Sequence, residues 1–201
     1  MVEELGLPVP AVRGVRQVGE RWGIVFDRIG APSFVEQAAA KPERLPEFLD
    51  AMVRLQLRIH AQPAGQLGSQ KLRLADRVSA TPLLDGARRT SLLASLAVMP
   101  DGDRLCHGDF HPLNILGPPD APVVIDWPDA CRGEPAADAC RSYLIMRHHA
   151  EPVAEPYLDL YCRMSGIAQS TIRAWLPLIA AARLAEDMPA ERERLLAIVN
   201  P

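Results

Sequence analysis

His107-Gly-Asp-Phe-His-Pro-Leu-Asn-Ile-Leu116 is followed by a Gly117-Pro-Pro-Asp120 turn and by Ala121-Pro-Val-Val-Ile-Asp-Trp127. An acid, an amide and a second acid are set here around a turn between two apolar strand candidates. A strand end holds such side chains rigidly. The order H-x-D-x-x-x-x-N, then a strand closed by Asp126, supplies the parts that phosphoryl transfer requires. One carboxylate orients an attacking hydroxyl and accepts its proton, and oxygen ligands hold Mg²⁺ against nucleotide phosphates. By that order Asp109 is the base, and Asn114 and Asp126 are the metal ligands. His107 joins the catalytic loop as a brace for its backbone. Two other readings use the same residues. His107, Asp109 and His111 alternate as three ligand-capable side chains and suit zinc in a metal-dependent hydrolase. Asp109 and Asn114 also serve as plain turn formers that bond their own backbone.

The same run, with Val124-Ile-Asp-Trp-Pro-Asp-Ala130 and Gly133-Glu-Pro-Ala-Ala-Asp138, resembles the aminoglycoside phosphotransferase and choline kinase-like family. The resemblance implies an α+β, protein kinase-like fold with a mostly helical C-terminal lobe. It implies ATP or GTP as co-substrate, Mg²⁺, and a small-molecule hydroxyl acceptor. It makes Asp138 a structural acid that anchors the following helix, and has Gly6 to Pro10 open the strand leading to a nucleotide hinge. That hinge is Asp27-Arg28-Ile29-Gly30, whose backbone would meet the base edge; a strand end stopped by glycine is the plain alternative. Residues 1–30 are thus expected to be a remnant of an N-terminal nucleotide-binding lobe, and residues 31–201 a helical catalytic lobe.

A complete fold of this kind starts with a Gly-rich loop, a strand Lys and a helix Glu. None precedes the hinge here. The two lysines, Lys41 and Lys71, fall in polar or helical stretches, so roughly forty to sixty residues of small lobe are expected to be missing. A truncated gene model is the favoured explanation, beside a catalytically inactive binding module and a shortened enzyme that substitutes other cations.

Composition bounds the rest. Apolar residues make up 48% of 201, enough for a real core, and 22 basic against 25 acidic side chains disfavour nucleic acid or an anionic membrane as partner. No apolar run nears membrane-spanning length and no export signal opens the chain, so a cytoplasmic location is expected. Cys106, Cys131, Cys140 and Cys162 form no C-x-x-C pair and read as reduced core residues.

Around the central block, Val9 to Val18 and Trp22 to Ile29 read as strands about a Gly19-Glu-Arg turn. Leu45 to His60 is an amphipathic helix and Gln70 to Val78 a short charged one, and Pro82 to Val98 is a helix with Thr81 as N-cap. Past Asp138, helices are expected over 138–150, 152–164, 171–186 with Ser170 as cap, and 190–199. Five acids in this half, Asp129, Glu134, Glu151, Glu155 and Asp159, are available to a cationic acceptor, whose charge carboxylates would offset. Asp129, three residues past the metal acid, is the one best placed.

Overall fold

The computed structural model describes residues 2–200. An antiparallel hairpin, β1 (Val12–Val18) and β2 (Arg21–Phe26), comes first, with Val18 opposite Arg21 across a Gly19-Glu20 turn. Gly19 takes φ 61°, as a two-residue hairpin turn demands. The strands are shorter than the expected Val9 to Val18 and Trp22 to Ile29, because Pro8 and Pro10 donate no ladder bond. The Pro8 carbonyl instead accepts from Val124 N at 2.7 Å, so Gly6 to Pro10 runs against the central block before the hairpin starts.

Helix α1 (Phe34–Ala40) opens on a capping box in which Ser33 and Glu36 satisfy each other's backbone donors. Helix α2 (Leu45–His60) has the expected ends and buries Phe48, Leu49, Met52, Val53, Leu55 and Ile59 along one face. It packs on α6 (Glu151–Ser165). Helix α3 (Gln70–Ala80) starts from Ser69, whose hydroxyl accepts from Leu72 N.

Helix α4 (Gly86–Val98) begins four residues later than expected. Its N-cap is Asp85, which accepts from Arg88 N at 2.8 Å, whereas Thr81 ends α3 by donating its backbone N–H to Arg77. Asp-Gly at 85–86 is the stronger start signal, because a carboxylate meets the helix-end N–H groups and their positive dipole.

The central block is built from three two-stranded pieces. Strand β3 (Arg104–Cys106) pairs antiparallel with β6 (Cys131–Gly133), and β4 (Ile115–Leu116) with β5 (Val123–Val124). Helix α5 (Pro135–His149) follows, buried from Ala136 through Met146. The expected 171–186 helix is broken into α7 (Gln169–Arg173), α8 (Leu176–Arg183) and a terminal 3₁₀ turn over 184–186. Pro177 explains the break: it lacks an N–H and fits only a first helical turn, so α8 restarts there. Ser170 lies inside α7, whose N-cap is Ala168, so the Ser170 cap is not formed. Helix α9 (Arg192–Val199) closes the chain.

Tyr143, Tyr157, Tyr161 and Trp175 are fully buried between these helices, which makes them core rather than ligand platforms. All four cysteines are free thiols. No helix among the described residues is long and apolar enough to cross a membrane.

Candidate active site

The β3–β4 connection carries the site, and one buried acid shapes it. Asp138 is 1% exposed on the first turn of α5, and its carboxylate accepts from the backbone N of Gly108 at 2.8 Å and of His107 at 3.4 Å. His60, at the end of α2, bonds the same carboxylate at 2.9 Å through Nε2, while its Nδ1 meets the Tyr161 hydroxyl at 2.8 Å. Burial alone would push the Asp138 carboxyl upward, but the His60 bond and charge and the Gly108 N–H outweigh it, so it is ionised. The anchoring role implied for Asp138 is therefore visible as hydrogen bonds: it ties two helices to the turn ahead of Asp109.

His107 is fully buried and stacks at 4.5 Å from Trp127 and 5.7 Å from Phe110. Its Nδ1 accepts from Asp109 N at 3.2 Å, which leaves the hydrogen on Nε2 to be donated to the Ile125 carbonyl at 3.0 Å. Burial holds its pKa below the ordinary histidine value despite Asp138 and Asp109 nearby. His107 thus spans the two arms of the loop as a neutral brace.

This corrects the zinc reading. Both His107 nitrogens are committed to the backbone, and the only His/Cys/Asp/Glu cluster of metal-site dimensions among the described residues is His60, Cys106 and Asp138. In that cluster His60 and Asp138 are hydrogen-bonded to each other, and the Cys106 thiol is pushed far up by its bond to Cys131 and by burial. It is a filled polar network. His107, Asp109 and His111 do not converge.

Gly108 is required where it stands. Its φ is 82°, and a Cβ would fall 2.2 Å from the Asp129 carbonyl oxygen. That close approach presses the segment after Asp126 against the loop.

Asp109 is partly exposed, with Oδ1 bonded by Arg141 Nη2 at 2.8 Å and Oδ2 lying 3.3 Å from His111 Nε2. Burial raises its pKa, yet the His111 bond and the Arg141 charge more than reverse this and hold it far below the usual carboxylate range. Asn114 Nδ2 donates to the Asp109 carbonyl at 3.0 Å, so that amide spends its donor side on the loop. Its Oδ1 accepts no protein hydrogen bond among the described residues.

Asp126 has φ 65°, the left-handed region that Asp and Asn tolerate better than most residues. It lies two residues past β5 rather than closing it. No protein cation or donor among the described residues takes its carboxylate.

Asn114 and Asp126 open into one cleft of about 730 Å³, walled by Ile24, Phe26, Ile29, Leu116, Ile125 and Trp127. Asp27 and Ile29, two of the three hinge candidates, line it too; Arg28 and Asp109 are not part of the wall. The Asp27 carboxylate is bonded by Arg13 at 2.6 and 2.5 Å. Two oxygen donors without a protein cation, lining one apolar cleft, are a donor set suited to a hard divalent ion.

The sequence reading missed Arg141 and Glu186. Arg141 is 7% exposed and joins Asp109 to Glu186 Oε1 (2.9 Å), which also takes Arg77 (3.0 Å), while Oε2 takes Arg183 (2.8 Å). A signal existed for Arg141, three residues past Asp138 and so on the same side of the helix. Lys71 is accounted for elsewhere: its ammonium caps the Ala97 and Met99 carbonyls at the end of α4.

A model of the phosphotransferase enzyme family matches residues 2–176. No curated protein matches the chain. Among solved structures, aminoglycoside phosphotransferase APH(4)-Ia, as a thermostable mutant with ADP and hygromycin B, aligns at a TM-score of 0.70 and 17% identity. The alignment covers 96% of this chain and 77% of that one. APH(3'')-Id from Streptomyces rimosus, with ADP and streptomycin, gives 0.64 and 20% over 90% and 78%. Choline kinase LicA from Streptococcus pneumoniae gives 0.67 and 14% over 98% and 75%. These likenesses establish a kinase-like α+β fold.

Proposed function

Because this chain belongs to the phosphotransferase enzyme family, we propose that it moves the γ-phosphoryl group of ATP or GTP to a hydroxyl of a small molecule. The observation that carries this reading is the shared cleft, in which Asn114 and Asp126 present unpaired oxygens beside the apolar walls given by Ile24, Phe26 and Ile29. The apolar walls receive the base, with the backbone of Asp27 and Ile29 beside it. Asn114 Oδ1 and the Asp126 carboxylate would hold Mg²⁺, which when bound neutralises charge on the phosphate oxygens.

Asp109 receives the hydrogen bond of the acceptor hydroxyl and directs its lone pair toward the transferred phosphorus. A carboxylate held so firmly ionised is a weak proton acceptor, so its contribution is orientation first and proton removal late. A loose phosphoryl-transfer transition state asks for little base strength, and positioning supplies most of the acceleration. The Asp138 carboxylate and the His107 brace keep the loop in place while this occurs.

The test is transfer of labelled γ-phosphate, or acceptor-independent hydrolysis of Mg·ATP and Mg·GTP, by the chain and by Asp109→Asn. Turnover falls by a factor of about a hundred or more with nucleotide affinity nearly kept. Equal losses in both contradict the role given to Asp109.

A further inference from the structure

The five acids offered by the sequence to a cationic acceptor are largely spent. Asp129, the best placed, accepts from Arg73 at 3.2 Å and from Arg77 at 3.1 and 3.2 Å. Glu155 is taken by Arg173 and Tyr143, and Asp159 by Gln169. Glu151 shares its surroundings with Arg147 and Arg194.

The acids beside Asp109 are consequently neutralised: Arg73, Arg77 and Arg141 are ion-paired with Asp129, Glu186 and Asp109 itself. Arg73, Arg77 and Arg141 line one narrow cleft with Gly108 and Asp129. Arg73 and Arg77 come from successive turns of α3, keep about a third and a quarter of their side chains exposed, and lie against the segment after Asp126. Asp129 and Glu186 each accept from more than one guanidinium, and Asp109 accepts from Arg141 through Oδ1. The guanidinium groups carry five N–H donors each and retain some for a ligand.

Resting on the phosphotransferase reading above, we propose that the acceptor is a neutral or anionic hydroxyl compound, such as a sugar, polyol or hydroxy acid, and not a polyamine. An ammonium group brought beside Asp109 would find Asp129 and Glu186 already paired with guanidinium groups, which it would have to displace. A hydroxyl or carboxylate group can take the N–H groups left over on the part-exposed Arg73 and Arg77.

The experiment uses matched acceptors that differ only in charge: glycerol, glycerate and 3-amino-1,2-propanediol; glucose, glucuronate and glucosamine; with kanamycin as polyamine. Each is incubated with the chain and Mg·ATP, and phosphorylated product is measured by mass spectrometry. Kanamycin and the two amines are also titrated calorimetrically into the chain with Mg·AMP-PNP. The proposal expects at least tenfold more product from a neutral or anionic member than from its matched amine, and no saturable amine binding at millimolar concentration. Saturable kanamycin binding, or amines turning over tenfold faster, overturns it whether or not the other members react. Failure of the underlying reading looks different, as loss of Mg²⁺-dependent AMP-PNP binding itself.

Discussion

Arg141 and Asp109 form a one-sided grip: Nε and Nη2 of the guanidinium, at 3.3 and 2.8 Å, both bond Oδ1 and leave Oδ2 turned to His111. The arginine is itself fixed from behind by Glu186. One oxygen of the carboxylate is thereby immobilised from α5, while the other meets only His111. Beside the Asp138 carboxylate, this buried side chain is a second tie between the 107–114 loop and helix α5.

Removing that grip should raise the Asp109 pKa. Arg141→Gln is expected to lift it by about one to three units, since that is the usual influence of an adjacent guanidinium on a carboxylate. Carbon-detected NMR titration of Asp109 reads this directly, and the acid limb of the hydrolysis profile should move up with it. An unmoved titration would show that Arg141 does not set the state of Asp109.

Glu191 and Arg183 make a second prediction. Glu191 is 1% exposed and takes Arg183 at 2.5 and 2.7 Å and His149 at 2.7 Å. Burial raises its carboxyl, but the Arg183 and His149 bonds bring it down to about 2. A depressed folded-state pKa contributes stability that is complete above the unfolded value, near 4.3, and is lost as pH falls toward about 2. Glu191→Gln takes one of two carboxylates from the buried Arg183, which keeps Glu186, and should cost about 2 kcal/mol in denaturant unfolding at neutral pH. The acid limb of the stability profile should shrink in the same variant.

His60→Ala is expected to cost about 2 to 4 kcal/mol, because the buried Asp138 carboxylate loses its imidazole partner and Tyr161 loses an acceptor. The backbone N–H of Gly108 should exchange with deuterium faster in this variant, since its acceptor is less firmly held. A stability loss with Gly108 exchange unchanged would separate His60 from the loop.

Much of this was legible in the sequence, and the exceptions have physical causes. Helix α2 has strict apolar spacing and a histidine at its end, so both its bounds were readable. That Asn114 and Asp126 share a cleft was readable because one continuous stretch carries both. Helix α8 was concealed by an alanine- and leucine-rich composition that favours helix throughout 171–186, and only Pro177 marked the restart. The pairing of Arg141, Arg77 and Arg73 with Asp109, Asp129 and Glu186 was not readable, because it depends on tertiary packing of α3, α5 and the 184–186 turn. For the same reason Asp129 looked free in the sequence and is engaged in the fold.

The account rests most on Asp126. Asparagine tolerates the left-handed backbone at this position, so Asp126→Asn removes the charge while sparing the turn, and its melting temperature without nucleotide should match that of the unaltered chain. A thermal-shift titration with Mg·ATP and Mg·GTP compares the two. The account predicts a Mg²⁺-dependent rise in melting temperature for the unaltered chain that Asp126→Asn loses. An equal rise in both proteins, or one that persists in EDTA, would contradict the assignment of this cleft to a metal-bound nucleotide.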